Sequence, residues 1–517
     1  MNGAITDGAG LTSSVAAECD AVIIGSGAGG AVLAKELAEG GMRVMVLEEG
    51  GEHRVHRGLA YESMGRMYRD RAMTTTMGRP YIPIPLGQCL GGTTLINSGT
   101  CFRTPPAVLR RWREERGLGA VHAEQLARCF DRVEAELPVA PAAFRVMSRP
   151  NTLVHELLER RGEHGAPLNR NAPECEGCGM CCYGCTSGAK RSMDQNYLPK
   201  AVQAGAALYT HARATRILRD GRGTACGAEA LAIGEEGVPT GRALRVRAPI
   251  VAVACGAMLT PVLLKKNGIA RGNPHLGRHL TIHPASKVAA EFNERIDCWD
   301  GIPQAYGYEG LHGEGIMFEG ITMPPDLGPM GMPFSGPRLA HVIKHYRNIA
   351  TFGFMISDST EGRLVWRPLL GHMFKYTLSK TDVARVRKAV SFLARLFFEG
   401  GARRVYPMVT RGPREFQKLD DVDAFERMPL SPGDIEMMAF HPLGTCRIAA
   451  SPEDGVCDAW HQVYGAPGLY VCDGSAVPTA LGVNPQETIM ALATRLAEHL
   501  LGAELPGHAS ASAAETG

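Results

Sequence analysis

Three short stretches carry side chains able to do chemistry. "FHPLGTC" (440–446) sets His441 before a proline, "GVNP" (482–485) sets Asn484 before another, and "CEGCGMCCYGC" (175–185) packs five cysteines into eleven residues. A neutral imidazole is a base suited to near-neutral pH, because its unperturbed pKa lies close by. An amide donating to the same oxygen would hold a hydroxyl in place and stabilise developing alkoxide charge. Each also has a plainer reading. His441 fits a buried histidine satisfied by backbone, and Asn484 fits the N-cap of a helix with proline at its first position. Cys175, Cys178, Cys181 and Cys185 give C-x2-C-x2-C-x3-C, the spacing of a bacterial ferredoxin quartet. An iron–sulfur cube, a tetrahedral zinc site and a turn of free thiols all fit that spacing. Against the cube stand Thr186, where proline usually follows, and the lack of a second quartet.

These groups need a scaffold, and the N-terminal part supplies one. An apolar run, Ala21 to Ile24, turns at Gly25-Ser26-Gly27-Ala28-Gly29-Gly30 and enters a helical pattern to Glu39; a second apolar run, Val44 to Leu47, ends at Glu48. This is G-x-G-x-x-G inside a strand–helix–strand unit. Gly25 permits the tight turn, Gly27 lets backbone approach a pyrophosphate, Gly30 lets helix and sheet pack closely, and Glu48 is placed for ribose hydroxyls. Near the other end, Leu469 to Cys472 read as a strand, followed by Asp473-Gly474, a turn, and a helix from about Pro485 to Leu501. A helix start aimed at the pyrimidine carbonyl of a flavin favours the negative charge that collects there on reduction. Contacts at both ends are expected of FAD and not of NAD.

Five motifs in fixed order then give a resemblance: "GQCLGGTTLINSGTCFRTP" (87–105), "THARATRIL" (210–218), "VACGAMLTPVLLKKNGI" (253–269), "FHPLGTCRI" (440–448) and Asn484-Pro485. Over about residues 18–505 the chain resembles the glucose–methanol–choline (GMC) oxidoreductases, most nearly the cholesterol-oxidase and long-chain-alcohol-oxidase branch. The resemblance implies an α/β fold: a Rossmann-type FAD-binding domain with an inserted α+β substrate domain built on an antiparallel sheet. The expected division is 18–110, 200–283 and 436–505 for the FAD-binding domain, 111–199 for a connecting segment with the cysteine-rich loop, and 284–435 for the substrate domain. It further implies that Gly91, Gly92, Thr93 and Asn97 pass along the flavin, and that the backbone at Ala214 or Thr215 meets the adenine. Asp473, Gly474 and Pro485 are the C-terminal contacts. His441 is then the base beside the flavin's N5 edge and Asn484 its partner on the substrate hydroxyl, for hydride transfer from an alcohol carbon. His279 and His283 read as structural or flavin-adjacent. The small-molecule alcohol would yield an aldehyde or ketone, with oxygen or an electron-acceptor protein or quinone as electron sink. The competing reading is a flavin/iron–sulfur electron carrier without its own alcohol substrate.

Composition narrows the class. The 517 residues carry 55 basic and 53 acidic side chains, net +2, and no basic stretch stands out as a footprint for nucleic acid or an anionic membrane. No charged n-region precedes an apolar run, and no apolar stretch is long enough to span a bilayer. Fifteen cysteines without an export signal argue against a disulfide framework. The simplest expectation is a soluble cytoplasmic enzyme. The first 18 residues and the tail, 506–517, read as frayed or disordered. Val383 to Phe398 reads as an amphipathic helix packed on a core rather than lying on a membrane. Met317, Met323, Met330 and Met332 suit either a pocket for a bulky apolar alcohol or ordinary core filling.

Overall fold

A computed structural model describes residues 3–53 and 59–502. A six-stranded parallel sheet runs in the order Ala4–Asp7, Ala207–Thr210, Val44–Leu47, Ala21–Ile24, Ile250–Val253, Leu469–Val471. Its central strands read AVII, VMVL and IVAV, the near-continuous aliphatic runs expected where a parallel sheet is covered on both faces. The helices Ala28–Glu39 and Gln486–Leu501 pack against each other beside it. Strand Ala21–Ile24 has a later-numbered strand on each side, so strand order reverses there, and the crevice at the strands' carboxyl ends is the place for a ligand.

Residues 3–18 are not a frayed end. Ala4–Asp7 is the parallel sheet's edge strand, and Val15–Glu18 pairs with Pro239–Arg247 in a second sheet. Backbone pairing holds these short, largely solvent-exposed strands, which is why the sequence alone concealed them. The tail 506–517 lies outside the described residues.

The second large layer is an antiparallel sheet in the order Arg404–Tyr406, Ala285–Glu291, Ile349–Ile356, Ile316–Gly320, Tyr306–Tyr308, Ala166–Pro167. The helix Lys380–Glu399 starts at a capping box between Ser379 and Asp382 and buries Val383, Val386, Val390, Leu393 and Phe397 in the core that this sheet shares. It is thus a core helix. Met317 and Met332 are also buried, Met330 is exposed, and Met323 faces a cavity between the two layers. Among the described residues no helix is long and apolar enough to cross a membrane.

Candidate active site

One cavity of about 800 Å³ runs from the glycine turn to the antiparallel sheet. At its near end Gly25 has φ +106 and no room for a side chain, since a Cβ would stand 2.3 Å from the Ala254 carbonyl. Gly27 precedes the helix Ala28–Glu39, whose start no side chain caps, so its first N–H groups are available to an anion. Gly92 has φ +54 and backs onto Gly27, where a Cβ would come within 3.0 Å of the Gly27 Cα. Gly25, Gly27, Ala28, Glu48, Gly92 and Thr93 all line this end. Gly30 and Gly91 sit just behind it: Gly30 packs helix on strand, and the Gly91 N–H donates to Ser26 Oγ.

The two acids are more heavily engaged than their positions in the sequence suggest. Glu48 accepts from Ser26 N–H and Oγ–H through Oε2 and from Gly50 N–H through Oε1, at 2.6–2.9 Å; burial raises its pKa. Asp473 accepts from Gly256 N–H, Thr260 Oγ1, Ser475 N–H and Ser475 Oγ. Its carboxylate therefore ties the 256–260 loop to the C-terminal turn, leaving cavity contacts to backbone at Asp473 and Gly474. Ala214 reaches the cavity from the strand Ala212–Arg219, beside Arg213 and Thr215.

At the far end, helix Gln486–Leu501 begins on the cavity. Pro485, not Asn484, is its N-cap, and no side chain caps it. Asn484 is thereby free to turn toward His441: Asn484 Nδ2 lies 3.3 Å from His441 Nε2 and 3.5 Å from Glu319 Oε2. Asn97 donates to Gln486 Oε1 at 2.7 Å and accepts from Gly99 N–H, locking the 97–100 segment to the helix start. His441 lines the cavity, and burial holds its imidazole down at about 4.

Three residues that sequence reasoning left out or placed loosely complete the site. His283 is fully buried, and its Nε2 accepts from both Leu481 N–H (3.0 Å) and Gly482 N–H (3.1 Å). Those two bonds fix its only proton on Nδ1, which faces His441 Nδ1 at 3.4 Å. Glu319 is 6% exposed; burial raises its pKa to about 7. Its Oε2 accepts from Gln304 Nε2, while among the described residues Oε1 has no partner, and neither has Asn484 Oδ1. Gln304 is oriented in turn by Thr100 Oγ1, which donates to its Oε1 at 2.8 Å. The sequence did carry a signal for Glu319: an acid inside "GIMFEGI", an otherwise apolar strand, is rarely buried without a purpose. His279 bonds Glu361 at 2.6 Å and stacks on His275, apart from the cavity.

Among the described residues no three His, Cys, Asp or Glu side chains stand close enough to hold a metal ion. Buried Arg170 takes the space inside the loop, donating to Cys175 Sγ (3.8 Å) and Cys181 Sγ (3.3 Å). Cys185 Sγ accepts from Lys190 N–H, and Cys178 is exposed. The Lys190 ammonium, also buried, donates to the carbonyls of Leu95, Asn97 and Cys181. Through Arg170 and Lys190 the loop is tied to the 95–98 segment, whose Ser98, Leu95 and Asn97 carbonyls accept from them.

The comparisons with known proteins agree with this architecture. The family models for the N- and C-terminal parts of GMC oxidoreductases match residues 8–285 and 368–493. An uncharacterized GMC-type oxidoreductase of Mycobacterium tuberculosis is 38% identical, over 93% of this chain and 75% of its own. A long-chain-alcohol oxidase of Arabidopsis thaliana is 30% identical, over 92% of this chain and 66% of its own. A 2-methyl-1,2-propanediol dehydrogenase of Mycolicibacterium austroafricanum is 25% identical over 95% and 96%. Among solved structures, pyridoxine 4-oxidase from Mesorbium loti superposes with a TM-score of 0.69 at 18% identity, over 93% and 99% of the two chains.

Proposed function

The chain belongs to the GMC oxidoreductase family, and from that premise we propose that it binds FAD and oxidises a bulky, largely apolar primary or secondary alcohol to an aldehyde or ketone. The substrate class rests on the alcohol-oxidising relatives and on the apolar far end of the cavity, where Ile321, Met323, Phe354, Met355 and Met438 gather. Gly25, Gly27, Ala28 and Gly92 would hold the pyrophosphate against uncapped N–H groups. Glu48, through Oε1, would meet the ribose, Ala214 backbone the adenine, and Thr93, Asn97 and the helix start at Pro485 the ring system. Bound FAD would supply the hydride acceptor.

The chain's own residues handle the proton. Because His283 carries its proton on Nδ1, it donates toward His441 Nδ1 and leaves the His441 proton on Nε2; Nε2–H and the neighbouring Asn484 Nδ2–H are then two donors, not bonded to each other, that a substrate oxygen can bridge. In this reading His441 Nε2–H and the Asn484 amide hold the alcohol oxygen. The unpartnered Glu319 Oε1 takes the hydroxyl proton, so the base moves from His441, where sequence alone put it, to Glu319. A carboxylate with a pKa of about 7 is matched to that task near neutral pH.

The observation that carries the proposal is the meeting of His441, Asn484 and the free Glu319 oxygen on a cavity that begins at the dinucleotide turn. It is tested by mixing the flavin-loaded protein anaerobically with an alcohol series and following the flavin band. Bleaching by long-chain alcohols is expected, and His441→Ala should keep the flavin while slowing bleaching at least about a hundredfold. A protein that takes up no flavin, or a variant that bleaches as fast as wild type, would refute the reading.

A further inference from the structure

The strands Arg363–Arg367 and Gly371–Lys375 form a ribbon of their own, paired Arg363 to Lys375 through Arg367 to Gly371. Its base is anchored: the Met77 N–H donates to the Phe374 carbonyl, and Phe374 is buried. Its tip is not. Trp366 is 59% exposed, Leu369 106% and Leu370 63%. Leu369 also has φ +67, a left-handed conformation disfavoured for a side chain that here touches nothing. Isolated exposed leucines are ordinary, but a tryptophan and two leucines together on a projecting turn form a patch that marks an interaction surface.

The charge around this tip is one-sided. "RLVWRPLLGHMFK" (363–375) contains two arginines, a lysine and a histidine and no acid. Lys265 and Lys266, at the end of helix Thr260–Lys266, stand beside it; after burial, they are what holds the His372 imidazole below its usual range. None of Arg363, Arg367, Lys375, Lys265 or Lys266 is ion-paired among the described residues. The nearest acid along the chain, Glu361, lies at the base and is taken by His279. Net charge of the whole chain conceals this cluster, because its members come from two separated segments.

We propose that this tip docks the protein on an anionic lipid bilayer, with Trp366, Leu369 and Leu370 entering the headgroup region, Arg367, Lys265 and Lys266 lying over it, and Arg363 and Lys375 adding positive charge from the base of the ribbon. Tryptophan favours that interface, and basic residues near it gain from anionic headgroups. A second copy of the chain fits less well. It would bring like charges together, and three side chains fall short of the roughly 800 Å² per partner that a stable interface buries. Docking itself is independent of the proposed function; only its use rests on that reading, since long-chain alcohols reside in bilayers.

Flotation with vesicles of phosphatidylcholine alone, and of phosphatidylcholine mixed with phosphatidylglycerol, tests this on the full chain. Wild type should float with the mixed vesicles, less so in high salt, with a blue shift of tryptophan emission that Trp366→Phe removes. Leu369→Asp/Leu370→Asp should cut the partition coefficient at least about a hundredfold without changing turnover of a short, soluble alcohol. Failure of wild type to float at low salt would overturn the proposal. So would undiminished binding by the double variant, or a wild-type dimer in sedimentation that the double variant dissociates. A protein that floats but oxidises no alcohol would sink the proposed function alone, and the reverse result would sink only the docking.

Discussion

Glu319→Gln is the most discriminating change in the site. The amide is isosteric, and it can still present an oxygen to Gln304 Nε2 and Asn484 Nδ2, so the pocket keeps its shape and loses only the ability to take a proton. In wild type the carboxyl has a pKa of about 7, so about one molecule in a hundred is ionised two pH units lower. The rate of flavin reduction by an alcohol should therefore fall roughly tenfold per pH unit below 7, to about a hundredth of its plateau at pH 5. In Glu319→Gln the plateau should drop by about 10²–10⁴ and the limb near 7 should vanish. What remains should stay flat until His441 protonates, at about 4. Anaerobic stopped-flow absorbance across that range measures both quantities. A limb near 7 that persists in the variant would return the base to another group, and a wild-type limb near 4 would return it to His441.

Glu319→Gln also makes a stability prediction of definite sign. The folded-state pKa of this acid is raised from 4.5 to about 7. Its favourable contribution is thus present below pH 4.5 and lost as pH rises through 7, leaving a cost of about 3 kcal/mol for the buried anion. Denaturation at pH 8 should find the variant more stable than wild type by up to that amount, with the advantage disappearing toward pH 4. Gln304→Leu removes the donor to Glu319 Oε2, so the wild-type kinetic limb should move upward in pH with the flavin spectrum unchanged; an unmoved limb would separate Gln304 from the proton path. Protein purified without oxygen should hold no stoichiometric iron or zinc, and a chelator should leave its flavin reduction unchanged; either metal at one equivalent or more would contradict the geometry of Cys175–Cys185.

Legibility in the sequence followed the range of the forces involved. The dinucleotide unit was readable because each part is local: aliphatic runs for buried parallel strands, glycines where only φ > 0 or a close approach will do, and an acid at the strand end. The same holds for helix Gln486–Leu501. What the sequence leaves open is whatever depends on where a side chain turns. C-x2-C-x2-C-x3-C fixes spacing but not direction, and a neighbour five residues upstream of the first cysteine, Arg170, sets its guanidinium against the sulfurs of Cys175 and Cys181. Asn-Pro reads as a helix cap, yet the cap falls one residue later and frees the amide. His283 read only as structural or flavin-adjacent, because its partners are two N–H groups about 200 positions away. Those two bonds matter most, since they set a tautomer, and the tautomer decides whether His441 gives or takes a hydrogen at the substrate oxygen. The residue types of such a site can be read from a motif; their protonation belongs to the tertiary structure, because the hydrogen bonds that fix a tautomer come from residues far away in the chain.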